Sequence, residues 1–78
     1  MPTLILYSRP ECHLCEALTA ELMPLLARRA ELEVVDVSTS AALERRYGMR
    51  IPVLVAGATE LSTYPLDRER VERYLAAL

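Results

Sequence analysis

The 78-residue sequence contains no Lys, Trp or Phe, and it has only two Gly, two Cys and one His. Its formal net charge is −2, so it lacks the positive surface with which proteins bind nucleic acid or anionic lipid. Without Trp or Phe, the sequence also lacks the aromatic pattern typical of a platform that stacks single-stranded bases. These absences predict a protein with neither a nucleic-acid nor a membrane partner.

Long apolar runs are also missing. The longest, from Ile51 to Ala58, is far below the ~18 residues of a membrane-spanning helix. The N-terminal segment lacks the basic start and the longer apolar run of a signal peptide. We therefore expect a cytoplasmic protein, and in the cytosol a structural disulfide would be reduced. Its two cysteines are accordingly expected to take part in a chemical reaction rather than in a structural disulfide.

The chain does contain enough apolar material for one small core. Hydrophobic residues make up 53% of the sequence and charged residues 26%, so the chain is too apolar and too nearly neutral to be disordered. Because the length is too short for two cores, residues 1–78 are predicted to form a single domain. No extended apolar patch is evident, and the expected oligomeric state is a monomer.

Hydrophobic periodicity predicts the element order βαβαββα. Short apolar runs predict strands at 3–7, 32–37, 50–55 and 59–62. Helical spacing predicts a helix from about Cys12 that Pro24 should kink or split. A short second helix is expected to end at Gly48, and Asp67 is expected to cap a third. The helix between the first two strands makes them parallel, and a tight turn makes the last two antiparallel, which predicts a mixed four-stranded sheet flanked by three helices.

Cys12 and Cys15 lie where the first strand passes into the first helix. Ligands of open α/β sheets bind beyond the carboxyl ends of the parallel strands, so a site is expected there. Free N–H groups at a helix start stabilise a thiolate, and cysteines in such motifs have a pKa lowered from ~8.5 to roughly 3.5–7.5. Cys12 is therefore predicted to attack a disulfide, and Cys15 to resolve the mixed disulfide.

Four further residues are candidate contributors to substrate binding. Arg9, three residues before Cys12, and His13, if protonated, would add positive charge beside the sulfur. Ile51 and Pro52 open the third strand. If the bond between them is cis, the Ile51 backbone can pair with an extended sulfur-containing partner.

A pair of cysteines three residues apart is also half of a zinc site. Zinc would need two more ligands, but the chain has no further Cys and no His other than His13. No metal site within one chain is therefore expected, whereas a metal or cluster bridging two chains stays open. A third interpretation also stays open, in which both cysteines are buried filler of a redox-inert adaptor.

Two segments and a capped final helix resemble the glutaredoxin-like proteins of the thioredoxin superfamily, more narrowly the compact bacterial type. The segments are Tyr-Ser-Arg-Pro-Glu-Cys-His-Leu-Cys at 7–15 and Arg-Ile-Pro-Val-Leu at 50–54. The resemblance implies an α/β, thioredoxin-like (glutaredoxin-like) fold. It also implies that Cys12 is the nucleophile, Cys15 the resolving cysteine and Pro52 a cis-proline, and that Arg9 holds a glutathione carboxylate.

The sequence departs from the glutaredoxin pattern at two places. His13-Leu14 stands where glutaredoxins usually have Pro-Tyr, and no Gly-Gly follows the fourth strand, where residues 62–67 are Ser-Thr-Tyr-Pro-Leu-Asp. Because Gly-Gly supplies backbone amides to glutathione in that family, dithiol chemistry is better supported here than glutathione binding. Asp67 has two interpretations, a contact to the glutathione α-amino group and a helix N-cap.

The sequence thus predicts an enzyme, a thiol–disulfide oxidoreductase whose Cys12–Cys15 dithiol reduces protein or low-molecular-weight disulfides. No tightly bound cofactor is expected, and glutathione is a candidate reductant. The expected partner is a disulfide-containing protein or small-molecule disulfide. Two alternatives remain: an iron–sulfur cluster or glutathione binding module, and a redox-inert adaptor with a thioredoxin fold.

Overall fold

The first apolar run lies in the middle of the sheet in the computed structural model, which describes all 78 residues. β1 (Thr3–Ser8) pairs in parallel with β2 (Glu31–Asp36) and antiparallel with β3 (Val53–Ala56). β4 (Thr59–Ser62) pairs antiparallel with β3. The strand order is β2-β1-β3-β4, which confirms the predicted mixed four-stranded sheet.

Helices connect the strands and complete the predicted element order. They are α1 (His13–Leu26), α2 (Ala41–Tyr47) and α3 (Arg68–Ala76), and a 3₁₀ turn (Val37–Thr39) leads from β2 towards α2. No helix has both the length and the apolar character that crossing a bilayer requires. The α/β fold predicted from the resemblance is therefore confirmed.

Polar side chains determine where α2 and α3 begin. The Ser40 hydroxyl accepts the N–H of Leu43 at 3.3 Å, and the Asp67 carboxylate accepts the N–H of Arg70 at 3.1 Å. Each bond satisfies one of the N–H groups that a helix start leaves without an intrahelical partner. Of the two interpretations of Asp67, the structure displays the helix cap.

α1 runs unbroken through Pro24, so of the two predicted effects of this proline the split is wrong. Pro24 lies in the last turn, and the helix ends two residues later at Leu26. The hydrogen bond lost there would have used the carbonyl of Ala20. Ala20 is exposed, so water can donate to that carbonyl instead.

Alternate residues of the sheet contribute to two cores of unequal size. The large core lies under α1 and α3, and the small core lies under α2. In β3, Val53 and Val55 belong to the small core, whereas Leu54 belongs to the large one, as the two-residue period of a strand requires. The large core comprises Leu4, Leu6, Leu18, Leu22, Leu26, Ala30, Leu54, Ala56, Leu61, Val71 and Leu75, and the small core comprises Val37, Tyr47, Val53 and Val55.

Candidate functional site

Cys12 stands at the junction of β1 and α1. Its Sγ accepts the N–H of Cys15 at 3.2 Å, which makes Cys12 the N-cap of α1. Its backbone carbonyl accepts the N–H of Glu16 at 3.1 Å, the first bond of the helix. Cys12 is partly exposed. A sulfur that solvent can reach is therefore held against the positive end of a helix.

The backbone turns sharply immediately before this sulfur. Glu11 has a φ of 59°, in the left-handed region that residues with a side chain rarely adopt. For a residue other than glycine, this conformation costs roughly 1–2 kcal/mol. Strained backbone of this kind clusters at functional sites. Here the turn at Glu11 delivers Cys12 to the start of α1.

Cys15 lies one helical turn further and is only 4% exposed. Both thiols are free. Burial raises the pKa of the Cys15 thiol, and its hydrogen bond to Cys12 raises it further, while the Ser8 hydroxyl and the Arg9 backbone act in the opposite direction. The Cys15 carbonyl accepts the hydroxyl of Thr19 at 2.9 Å. The site therefore pairs an accessible sulfur with a buried, protonated one.

An open cavity of about 380 Å³ lies beside the two sulfurs, and we call it the sulfur cavity. This volume is within the range of small-molecule sites. Its walls come from β1, the turn into α1, the first two turns of α1 and β2. The lining residues are Ser8, Arg9, Glu11, Cys12, Cys15, Glu16, Thr19, Ala20 and Val34.

Arg9 reaches from the sulfur cavity to α2. Its guanidinium donates to both carboxylate oxygens of Glu44, one of them at 3.1 Å, and to the Gly48 carbonyl at 3.0 Å. The Glu44 carboxylate raises the pKa of Arg9 through these hydrogen bonds. A Cβ at position 48 would collide with the Glu44 carboxylate and carbonyl, so glycine permits this close approach. The Arg9 guanidinium thus binds a carboxylate of its own chain, and its contact to a glutathione carboxylate stays a prediction.

The side chain of His13 lies at the surface. Its side chain is 98% exposed, and its Nδ1 lies 3.6 Å from the Glu16 carboxylate. It does not line the sulfur cavity. No three side chains of the His, Cys, Asp or Glu type are arranged to hold a metal ion. The imidazole thus lies near the Glu16 carboxylate at the surface, and its predicted effect on Cys12 stays a prediction.

Ile51 and Pro52 lie at the same end of the sheet as Cys12 without lining the sulfur cavity. The Ile51–Pro52 peptide bond is cis, as is Tyr64–Pro65. Pro52 is buried and precedes Val53, which pairs with Tyr7. Pro52 is therefore next to the end of β1 from which the chain continues to Cys12. Ile51 is half-buried against the small core.

Three residues of the site were not predicted from the sequence. Ser8 follows Leu4 and Leu6 at intervals of two, so strand alternation could have placed it on the buried face below the cysteines. Thr19 is four residues after Cys15, the spacing of neighbours on one helix face. Glu44 is 35 residues from Arg9 in sequence, and no local pattern connects them.

Comparison with known proteins agrees with this geometry. Residues 3–76 match the family described as Glutaredoxin-like domain (DUF836). The X-ray structure of Northeast Structural Genomics target protein XcR50 from X. campestris is 36% identical, with a TM-score of 0.72 over 96% of this chain and 97% of that one. The solution structure of that protein is 37% identical, with a TM-score of 0.69 over 100% and 96% of the two chains.

A more distant structure shares only the fold with this chain. A malarial protein of 18% identity shares the fold, with a TM-score of 0.59 over 96% of this chain and 92% of its own. No curated protein matches the chain. Because the family match spans nearly the whole sequence, it agrees with the resemblance of the two segments. The chain belongs to the glutaredoxin-like domain family.

Proposed function

We propose that this protein is a thiol–disulfide oxidoreductase that reduces disulfides with its Cys12–Cys15 dithiol. One observation carries the proposal: an accessible sulfur that accepts a helix N–H lies one turn from a buried thiol, and both line the same open cavity. A dithiol that exchanges disulfides needs one sulfur that a substrate can reach and another that it cannot. Membership of the glutaredoxin-like family supports a role in thiol redox chemistry.

The first step is attack by the Cys12 thiolate on one sulfur of the substrate. A bond forms between Cys12 Sγ and that sulfur, and the substrate S–S bond breaks. The other substrate sulfur leaves as a thiolate and takes a proton from water. The N–H of Cys15 keeps Cys12 Sγ at the helix start during the attack.

The second step is resolution by Cys15. Its thiol loses a proton and attacks Cys12 Sγ, the second substrate sulfur leaves, and a Cys12–Cys15 disulfide remains. The substrate gains two electrons and two protons, and the protein dithiol supplies the electrons. Because burial raises the pKa of Cys15, its thiol is protonated at neutral pH and must lose that proton before it attacks. An external thiol then reduces the disulfide, with cytosolic glutathione as a candidate.

Three residues complete the proposed binding region. Ile51 precedes β3 and lies outside the paired residues of that strand, so we propose that its backbone pairs with an extended substrate. Pro52 fixes where Ile51 lies relative to the end of β1. His13 is exposed beside Cys12 and is available to an approaching substrate.

The test is mass analysis of thiol exchange with bis(2-hydroxyethyl) disulfide. Reduced wild-type protein is expected to lose two hydrogens, and the Cys15→Ser variant is expected to retain one half of the reagent on Cys12. The Cys12→Ser variant should do neither while folded, since Cys15 is buried. Folding of each variant is checked by circular dichroism. If wild-type Cys12 reacts no faster than cysteine in a short unstructured peptide, the proposal is wrong.

A further inference from the structure

The charged groups around the sulfur cavity are unevenly balanced. Arg9 is the single cation among the lining residues, and Glu11 and Glu16 are the two anions. Both carboxylates flank the helix start, one on each side of Cys12 in sequence. A substrate that approaches Cys12 therefore meets two negative side chains close to the reacting sulfur.

The charge of Arg9 is already engaged. Both terminal nitrogens of its guanidinium donate to the Glu44 carboxylate, and one of them also donates to the Gly48 carbonyl. Asp36 does not line the sulfur cavity, but it lines a smaller neighbouring cavity together with Arg9. Bidentate pairing is the geometry in which a guanidinium binds a carboxylate most strongly. A carboxylate on a substrate would have to displace Glu44 to use this cation.

Glu11 and Glu16 have no comparable partner. No ion pair or side-chain hydrogen bond involves Glu11, and Glu16 has only exposed His13 at 3.6 Å. This long contact to an exposed side chain does not occupy the Glu16 carboxylate in the way that Glu44 occupies Arg9. Uncompensated charges at the mouth of a cleft repel ligands of like sign and attract those of opposite sign.

We propose that the sulfur cavity selects disulfides by charge: neutral and cationic disulfides react at Cys12 in preference to anionic ones, because Glu11 and Glu16 face the substrate while Glu44 occupies Arg9. The inference rests on the proposed function and adds a substrate class to it. The favoured substrate is a disulfide flanked by basic or uncharged groups, such as a cystine in a basic stretch of polypeptide. Glutathione disulfide, which carries net negative charge, is disfavoured.

The chemistry is the same two-step exchange for every member of this class. The substrate disulfide is the oxidant, Cys12 and Cys15 supply two electrons, and two thiols leave. The charge of the substrate therefore changes the rate at which it reaches Cys12 and the stability of the mixed disulfide. It does not change the stoichiometry of the reaction. Because the carboxylates are exposed, salt is expected to weaken the preference.

The experiment compares three probe disulfides that differ in charge. Cystamine carries two ammonium groups, bis(2-hydroxyethyl) disulfide is neutral, and 3,3′-dithiodipropionate carries two carboxylates. Each rate with the reduced protein at pH 8 is divided by the rate of the same disulfide with β-mercaptoethanol, which removes differences in intrinsic reactivity. The normalised rate is expected to be roughly 5- to 20-fold higher for cystamine than for dithiodipropionate at low salt, and nearly equal at about 1 M salt.

Variants assign the preference to particular residues. Glu11→Gln and Glu16→Gln should each reduce the ratio of the cystamine rate to the dithiodipropionate rate, and the double variant should reduce it most. Glu44→Gln should raise the dithiodipropionate rate, because a neutral amide releases the charge of Arg9. Glu72→Gln is the matched control: Glu72 contacts Arg29 and lies outside the sulfur cavity, so the ratio should not change.

The outcomes separate this inference from the proposed function. If all three probes react with equal normalised rates, or if dithiodipropionate reacts fastest, the charge preference is wrong while disulfide exchange stands. The assignment is also wrong if the ratio survives in the Glu11→Gln/Glu16→Gln double variant. If Cys12 exchanges with none of the probes in the folded protein, the proposed function itself fails.

Discussion

The two faces of the sheet are stabilised by different means. The large core contains eleven buried residues, most of them Leu, from the strands and from α1 and α3. The small core has four buried residues and relies on contacts with defined geometry. The rings of Tyr7 and Tyr47 stack with centroids 4.0 Å apart at 11°, and the guanidiniums of Arg46 and Arg50 lie 5.3 and 5.6 Å from the Tyr47 ring. One face gains stability from buried area, the other from oriented pairs.

The candidate site joins these two faces. Both cysteines belong to the start of α1, which packs on the large core. Arg9 connects this region to α2 through Glu44, and Ile51 packs against the small core. The reacting sulfurs thus stand on the better-packed side, whereas Ile51, whose backbone is proposed to pair with the substrate, is held by the thinner side.

The largest expected difference between the faces concerns neighbouring residues of β3. Leu54→Ala should lower the free energy of unfolding by about 2–5 kcal/mol, because it opens a cavity in the large core. Val53→Ala removes two methyl groups from the small core and should lower the free energy of unfolding by about 1.5 kcal/mol, because less apolar area is buried. Urea unfolding measures both. An equal or larger loss for Val53→Ala would contradict the division of stability between the faces.

The tyrosine stack provides the next test. A double-mutant cycle with Tyr7→Leu and Tyr47→Leu should give a coupling of about 0.5–1.5 kcal/mol, because paired aromatic rings attract each other beyond the area that they bury. Thermal unfolding of the two single variants and the double variant measures it. Additive losses would mean that the stack contributes only through burial, as the large core does.

The N-cap of α3 is expected to make a smaller, local contribution to stability on the side of the sheet that holds the large core. Asp67→Ala should destabilise the protein by about 1 kcal/mol, since an N–H of the first turn loses its acceptor. Asp67→Asn is the matched control, because asparagine also caps helices while lacking the charge. If Asn were as damaging as Ala, the carboxylate charge rather than the cap would be what α3 requires.

The pH dependence of stability should be the smallest effect. Burial raises the pKa of Cys15 and that of Tyr7. Above the ordinary thiol pKa of about 8.5, the unfolded chain therefore loses its Cys15 proton before the folded chain does, and stability falls as pH rises. The melting temperature of the reduced protein should decline from pH 8 to pH 10. Cys15→Ser should flatten this decline and leave a further decline above pH 10, the ordinary tyrosine pKa, which is due to Tyr7.

Local signals explain why parts of the fold were predictable. The bounds of β4 agree with the prediction because Gly57, with a φ of 59°, forms the turn that precedes it. Asp67 marks the start of α3 in the same way. β3 was predicted from residue 50 but begins at Val53. Arg50 instead donates its N–H to Tyr47 and its guanidinium to Glu60, and these partners are not visible in an apolar run.

The site was predictable where its residues are close in sequence. Cys12 as helix cap and Cys15 as the buried partner follow from their spacing at a strand–helix junction. The environment of Arg9 does not follow from spacing, because Glu44 reaches it only after α2 has packed on the sheet. The partner of the Arg9 charge therefore depends on tertiary structure, whereas the positions of the two sulfurs depend on local structure.

The stacked tyrosines also have an optical consequence. The chain has no Trp and four Tyr, and two of the four are held at a fixed angle, with Tyr7 next to Ser8 in the strand that leads to Cys12. Near-ultraviolet circular dichroism arises from aromatic rings in a fixed environment and disappears when packing loosens. The chain thus contains an intrinsic spectroscopic reporter, which can follow the α2 side of the sheet during reduction and oxidation without any attached label.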